Sequence, residues 1–258
     1  MAVIAGIVFE RMKDMNTYEV FAGNELRKWQ FKMTKNPGIL GRLSKKTQDK
    51  INSYIPEKVH TAITTVIKQM IRGVLFGAKY TTTKPLKDLS LFERELIVKE
   101  KIKFYRSTAA IEGGITGAGG FFLGLADFPL LITLKLKLLY EIASAYGFDL
   151  NDYKERIYLL HIFELAFSSR VHSKSVYQKI ADWEHISETL PSDINQFDWR
   201  KFQQEYRDYI DLAKMAQLLP VIGAPVGIIA NYSLIKKLGT TAMNAYRMRL
   251  LKSHEYNN

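Results

Sequence analysis

The chain has 258 residues, 47% of them hydrophobic and 24% charged, with a formal charge of +11 and no cysteine. That apolar content excludes intrinsic disorder, and a mean hydropathy of -0.12 is too polar for a multi-span membrane protein. The missing cysteines exclude a disulfide scaffold, a thiolate zinc site, an iron–sulfur cluster and a cysteine nucleophile, and they fit a reducing compartment.

In chain order the predicted elements are all helical. Residues 1–23 read as a poorly defined N-terminal segment, because the apolar stretch Met1 to Phe9 has neither the basic n-region nor the cleavage site of a signal peptide. Pro56 can open a helix on which Val59, Ile63, Val66, Ile67, Met70, Ile71 and Val74 recur at three- and four-residue steps. After the break at Lys84-Pro85, Ser90 and Glu93 form a capping box for a helix through Tyr105. Asp127, followed by Pro129, is predicted to cap a helix that stops at Gly147. Asp152 with Glu155 starts another through Phe167, and Ser173 caps a third through Thr189, ended by Pro191. Asp198 caps a long helix with Phe202, Tyr206, Tyr209, Leu212 and Met215 on its stripe; Pro220 interrupts it, and helix resumes to about Leu251. No alternating strand pattern, long linker or fixed repeat is present. The expected architecture is therefore all-α, with one multi-helix bundle over residues 24–252 and a short tail over 253–258.

Two uncharged segments stand out, Gly113 to Ala126 and Met215 to Ile235. Glycines four residues apart recur four times, as Gly73/Gly77, Gly113/Gly117, Gly120/Gly124 and Gly223/Gly227. Average glycine usage would give about one such pair. On a helix this spacing bares one face and lets another backbone approach, so Gly113, Gly117, Gly120, Gly124, Gly223 and Gly227 are assigned to close helix packing at the buried centre of the bundle. Met215 to Ile235 is also long enough to cross a bilayer, and one integral span is left open there, although Pro220, Pro225, Gln217 and Asn231 interrupt it.

The charge is uneven. Residues 1–80 carry +8, 81–150 carry +1, 151–212 carry -3 and 213–258 carry +5. Between Arg27 and Lys50, eight basic residues face the single acid Asp49, with Trp29 and Phe31 among them. Basic residues interleaved with aromatics suit an anionic membrane surface, each contributing roughly 1 kcal/mol near the headgroups. The membrane-contact residues assigned from this pattern are Lys28, Trp29, Lys32, Lys35, Lys45 and Lys46. A solvated basic face is the plain alternative, and nucleic acid is disfavoured for want of a recognition motif.

Catalytic candidates are weak. Asp127 is an acid in an apolar, glycine-rich segment, Glu112 offers it a partner, and His161 stands three residues from Glu164. The His-x-x-Glu order does not match a di-iron bundle, the glycine-rich segment lacks the Lys-Ser/Thr of a phosphate loop, and no metal or cofactor is expected.

Three stretches carry a family resemblance: IPEKVHTAI (Ile55 to Ile63), GGITGAGGFFLGLADFPLLITLKLKLLYEIASAYGFD (Gly113 to Asp149) and LLPVIGAPVGIIANYSLIKKLGTTAMNAYRMR (Leu218 to Arg249). With their Gly124, Ala126, Asp127 and Pro129 core they resemble the EcsC family, named for a bacterial operon that also encodes the subunits of an ABC transporter. The resemblance implies association with a transport or secretion system, with ABC transporter subunits as partners; together with the basic segment, the expected function is a non-enzymatic, cytoplasmic accessory peripheral on the inner membrane face. It carries over no catalytic residue. The alternatives are a hydrolase, or a protein binding an apolar ligand, with a pocket around Asp127 and Glu112.

Overall fold

The computed structural model describes residues 2–35, 57–76, 84–118, 120–210 and 224–255. Nine α-helices occupy them: α1 (Ala2–Thr34), α2 (Glu57–Phe76), α3 (Leu91–Ala118), α4 (Gly120–Ala145), α5 (Tyr153–Phe167), α6 (Arg170–Ala181), α7 (Trp183–Thr189), α8 (Trp199–Tyr209) and α9 (Ala224–Glu255). One 3-10 turn, Ile194–Gln196, precedes α8. No strand occurs among the described residues; a lone antiparallel bridge joins Ser168 to Ile210. The fold is all-α, as the periodicity predicts.

Most helix starts follow the chemistry of their caps. The Ser90–Glu93 box forms: the Glu93 carboxylate accepts from the Ser90 amide at 2.9 Å, and the Glu93 amide donates to Ser90 Oγ at 3.3 Å. Asp152 accepts from the Lys154 amide at the head of α5, and Asp198 from the Lys201 amide at the head of α8. Gly147 ends α4 with φ +90°, its amide donating to Ser144 O while Phe148 donates to Ala143 O, the two bonds of a Schellman motif. Only glycine fits there, because a Cβ would also lie 2.9 Å from Arg94 Nη1 and 3.1 Å from Leu86 O.

Several boundaries differ from expectation. α1 is continuous from Ala2 to Thr34. α3 runs beyond Tyr105 to Ala118. α4 begins at Gly120 and carries Pro129 inside it, so Asp127 is not its N-cap; the helix is already under way in the apolar run before Asp127, and Pro129 does not end it. The cap of α6 is Ser169 rather than Ser173, accepting from the His172 amide, and a break at Asp182 separates α6 from α7. α8 stops at Tyr209, short of Leu212 and Met215, which lie outside the described residues.

The core is organised around α5, where every residue except Lys154 is buried. A helix buried all round is a centre rather than a face, and this one carries no glycine. α3 and α9 share the most extensive helix contact, with α4 against α3 and α9 against α5. At that first contact Gly239 lets the helices close: a Cβ there would meet Ile102 Cγ1 at 2.5 Å. At Gly73 of α2, by contrast, a Cβ would meet nothing within 4 Å. Gly113 and Gly117 lie in α3, Gly120 and Gly124 in α4, and Gly227 in α9. What packs against these five, like Gly223 itself, falls outside the described residues.

Candidate functional site

The polar groups that organise the bundle converge on Glu95. The buried stripe of α3 reads Leu91, Glu95, Val98, Ile102 and Tyr105, a helical spacing with an acid in one apolar position. Glu95 is fully buried and is held at both carboxylate oxygens by Nε and Nη2 of Arg247 on α9. Tyr18 of α1 donates to Glu95 Oε2 at 2.6 Å, and Tyr146, just beyond α4, donates to Oε1 at 3.1 Å. Asn244 accepts from Arg247 Nη1 at 3.3 Å. The four segments thus meet on one paired carboxylate, whose hydrogen bonds offset the desolvation of both charges. Burial, together with hydrogen bonds to Glu95, raises the phenol pKa of Tyr18 and Tyr146, so both hydroxyls stay protonated as donors. Burial alone would lower Arg247, but the Glu95 carboxylate outweighs it and holds the guanidinium charged.

A second bidentate pair, Arg249 with Glu155 at 2.7 Å to each oxygen, ties α9 to α5. The Arg249 guanidinium also lies 3.9 Å from the ring centre of Phe148 and 4.7 Å from that of Tyr158. His161 is likewise a core residue. Its Nδ1 is 2.8 Å from Glu164 Oε2, Trp183 and Phe202 meet its ring edge to face, and Glu164 Oε1 has no partner. Glu112 sits in α3 and Asp127 in α4, and the side chains of both fall outside the described residues. Among the described residues no three His, Asp or Glu side chains group as a metal ligand set.

The surface of α1 gives the basic segment a direction. Thr17, Val20, Phe21, Asn24, Arg27, Lys28, Phe31, Lys32 and Lys35 are exposed, whereas Ala22 and Leu26 are buried. At 3.6 residues per turn the exposed set falls on one side of the helix. Lys28, Lys32 and Lys35 all lie on it, with Lys28 2.9 Å from Glu25. Trp29 does not: it packs inward, edge-on to Tyr177 of α6 at 5.6 Å, because one residue beyond Lys28 is a rotation of about 100°. The outward aromatic at this level is Phe31, 67% exposed. Lys45 and Lys46 lie outside the described residues. No helix among the described residues is long and apolar enough to cross a membrane. Of the stretch Met215 to Ile235, only the part from Ala224 is described, as the start of α9.

Sequence comparison places this architecture. The model of the EcsC protein family matches residues 22–251. The chain is 45% identical over 229 residues to Protein EcsC of Bacillus subtilis (strain 168), covering 88% of this chain and 94% of the relative. It is 26% identical over 248 residues to the uncharacterized protein YdbA of the same organism, covering 87% of this chain and 90% of that one. No solved structure matches it. The chain belongs to the EcsC family.

Proposed function

We propose that this EcsC-family protein is a peripheral membrane protein, an accessory without catalysis of its own that works on the cytoplasmic face beside an ABC-type transport system. The observation that supports the membrane part is the outward side of α1, where Phe31 stands 67% exposed among Lys28, Lys32 and Lys35. An unburied aromatic ring within a cluster of cations matches the two requirements of an anionic interface. The ring enters the headgroup region, and each cation contributes roughly 1 kcal/mol of attraction to acidic lipid. Arg27 adds a fourth exposed charge on the same helix. The transport part rests on the family resemblance, through the neighbourhood for which the family is named. Nothing in the arrangement of His161, which is paired with Glu164 inside the core, supports a hydrolase.

Fractionation of cells expressing the full chain tests this reading. Recovery in the membrane fraction, with release by a high-salt wash, is the expected result. Recovery in the soluble fraction at low salt contradicts it, and so does retention after both salt and carbonate washes. Co-purification with transporter subunits after mild detergent extraction tests the partnership.

A further inference from the structure

The outer side of α3 carries a second exposed set that the basic segment of α1 does not include. Phe92 is 43% exposed, Leu96 46% and Phe104 62%, and Lys99 and Lys103 are exposed among them. They occupy one side of a helix whose opposite side, Leu91, Val98, Ile102 and Tyr105, is buried. Large apolar side chains gathered on the solvent side of such a helix mark an interaction surface rather than chance exposure.

This strip joins the α1 face through three rings. The Tyr18 ring lies 6.0 Å from Phe21 and 5.0 Å from Phe92, edge-on to the latter. Phe21 and Phe92 both face outward, and Phe21 is 52% exposed. Tyr18 between them is held from below. Its hydroxyl donates to buried Glu95 at 2.6 Å and accepts from Lys99 Nζ at 2.8 Å. The row Phe21–Tyr18–Phe92 is therefore anchored to the ion pair that ties α3 to α9, which preorganises it for docking.

Charge selects the occupant. The exposed ionisable residues of the two faces are Arg27, Lys28 and Lys32 on α1, Lys35 just past its end, and Lys99 and Lys103 on α3, against Glu100, with Glu25 half-exposed and paired to Lys28 at 2.9 Å. Flexible lysine stems let ammonium groups reach phosphates while the rings between them sink below, an arrangement suited to an interface of apolar interior and anionic surface. We infer that the row Phe21–Tyr18–Phe92, with Leu96, Lys99 and Lys103 of α3, is a second bilayer-contacting surface that adjoins α1 and fixes the orientation in which the protein lies on an anionic membrane. The inference rests on the reading of α1 as a membrane-contacting helix.

The absence of native cysteine makes the test direct. Single variants Phe31→Cys, Leu96→Cys and Gln204→Cys of the full chain, each at an exposed position, are labelled with an environment-sensitive fluorophore. They are mixed with vesicles of phosphatidylcholine alone or with added phosphatidylglycerol. The expected result is a salt-reversible blue shift at positions 31 and 96 on the acidic vesicles only, with none at 204. A shift at 31 without one at 96 overturns the α3 surface and leaves the α1 reading standing. A shift at 204 equal to that at 96 overturns the orientation. No binding to acidic vesicles overturns both readings. In the unlabelled chain Lys103→Gln should weaken partitioning roughly fivefold, and unchanged affinity also counts against the α3 surface.

Discussion

Replacing Glu95 by Gln should be among the most damaging single-atom-scale changes available in this fold. Glu95 is fully buried, and the Arg247 side chain that it pairs with is only 3% exposed. The substitution keeps the shape but leaves a guanidinium in the core without its counter-charge. It also turns one of the two acceptor oxygens used by Arg247, Tyr18 and Tyr146 into a donor. Breaking a buried pair from one side costs about 3–5 kcal/mol. For a domain of this size, at about 2–4 °C per kcal/mol, the midpoint should fall by roughly 6–20 °C. The assay is thermal unfolding followed by far-UV circular dichroism on the parent, Glu95→Gln, and the cycle of Glu95→Leu, Arg247→Met and the Glu95→Leu/Arg247→Met double variant. The double variant should lose much less than the sum of the single losses, because both charges leave together and only neutral groups, the hydroxyls of Tyr18 and Tyr146 and the Asn244 Oδ1, lose partners. A Glu95→Gln midpoint within about 2 °C of the parent, or a double loss equal to the sum of the singles, would refute the reasoning.

Glycine at two helical positions should respond with opposite signs. Gly73→Ala meets open space on an exposed side of α2 and should stabilise by about 0.5–1 kcal/mol, whereas Gly239→Leu drives a side chain into Ile102 and should destabilise by about 2 kcal/mol or more. Equal effects in denaturant titrations would contradict the assignment of the α3–α9 approach to Gly239. Ser90→Ala should cost about 1 kcal/mol by removing the N-cap of α3, read as a lower urea midpoint with unchanged slope. Alkaline stability follows from the buried phenols. Burial pushes Tyr140 up to about 12 and raises Tyr146, Tyr206 and Tyr246 well above the ordinary value of 10. Because the folded state holds these protons more tightly, their contribution is fully present below about pH 10 and is lost as pH rises towards the folded-state values. Phenolate absorbance and circular dichroism should therefore show exposed tyrosines ionising first and the remainder ionising only with unfolding; a single unperturbed titration of all tyrosines would sink this.

Legibility in the sequence differed by the kind of signal. Caps act over three residues, so Ser90, Asp152, Asp198 and the stop at Gly147 were readable in order. Asp127 and Ser173 misled, because a residue able to cap says nothing about whether the preceding chain is already helical; α4 starts at Gly120 and α6 at Arg170. Glycine spacing does not find Gly239, which has no glycine four residues away, because approach is decided by the partner helix. The site at Glu95 is a matter of long-range pairing, 152 positions from Arg247, and no local rule joins them. Its trace was present nonetheless, as an acid on the buried stripe between Leu91 and Val98. The basic segment was visible as charge, but the rotation of α1 was needed to exchange Trp29 for Phe31 on its outward side.

The most direct test of the membrane reading is flotation of the purified chain with acidic vesicles across a salt series, alongside the Lys28→Gln/Lys32→Gln/Lys35→Gln variant. The expected result is binding that falls steadily as salt screens the exposed charges, beyond a Debye length of about 8 Å at physiological strength, and that is weakened about a hundredfold in the variant. Binding that is equal on neutral and acidic vesicles, indifferent to salt and unchanged in the variant would contradict it.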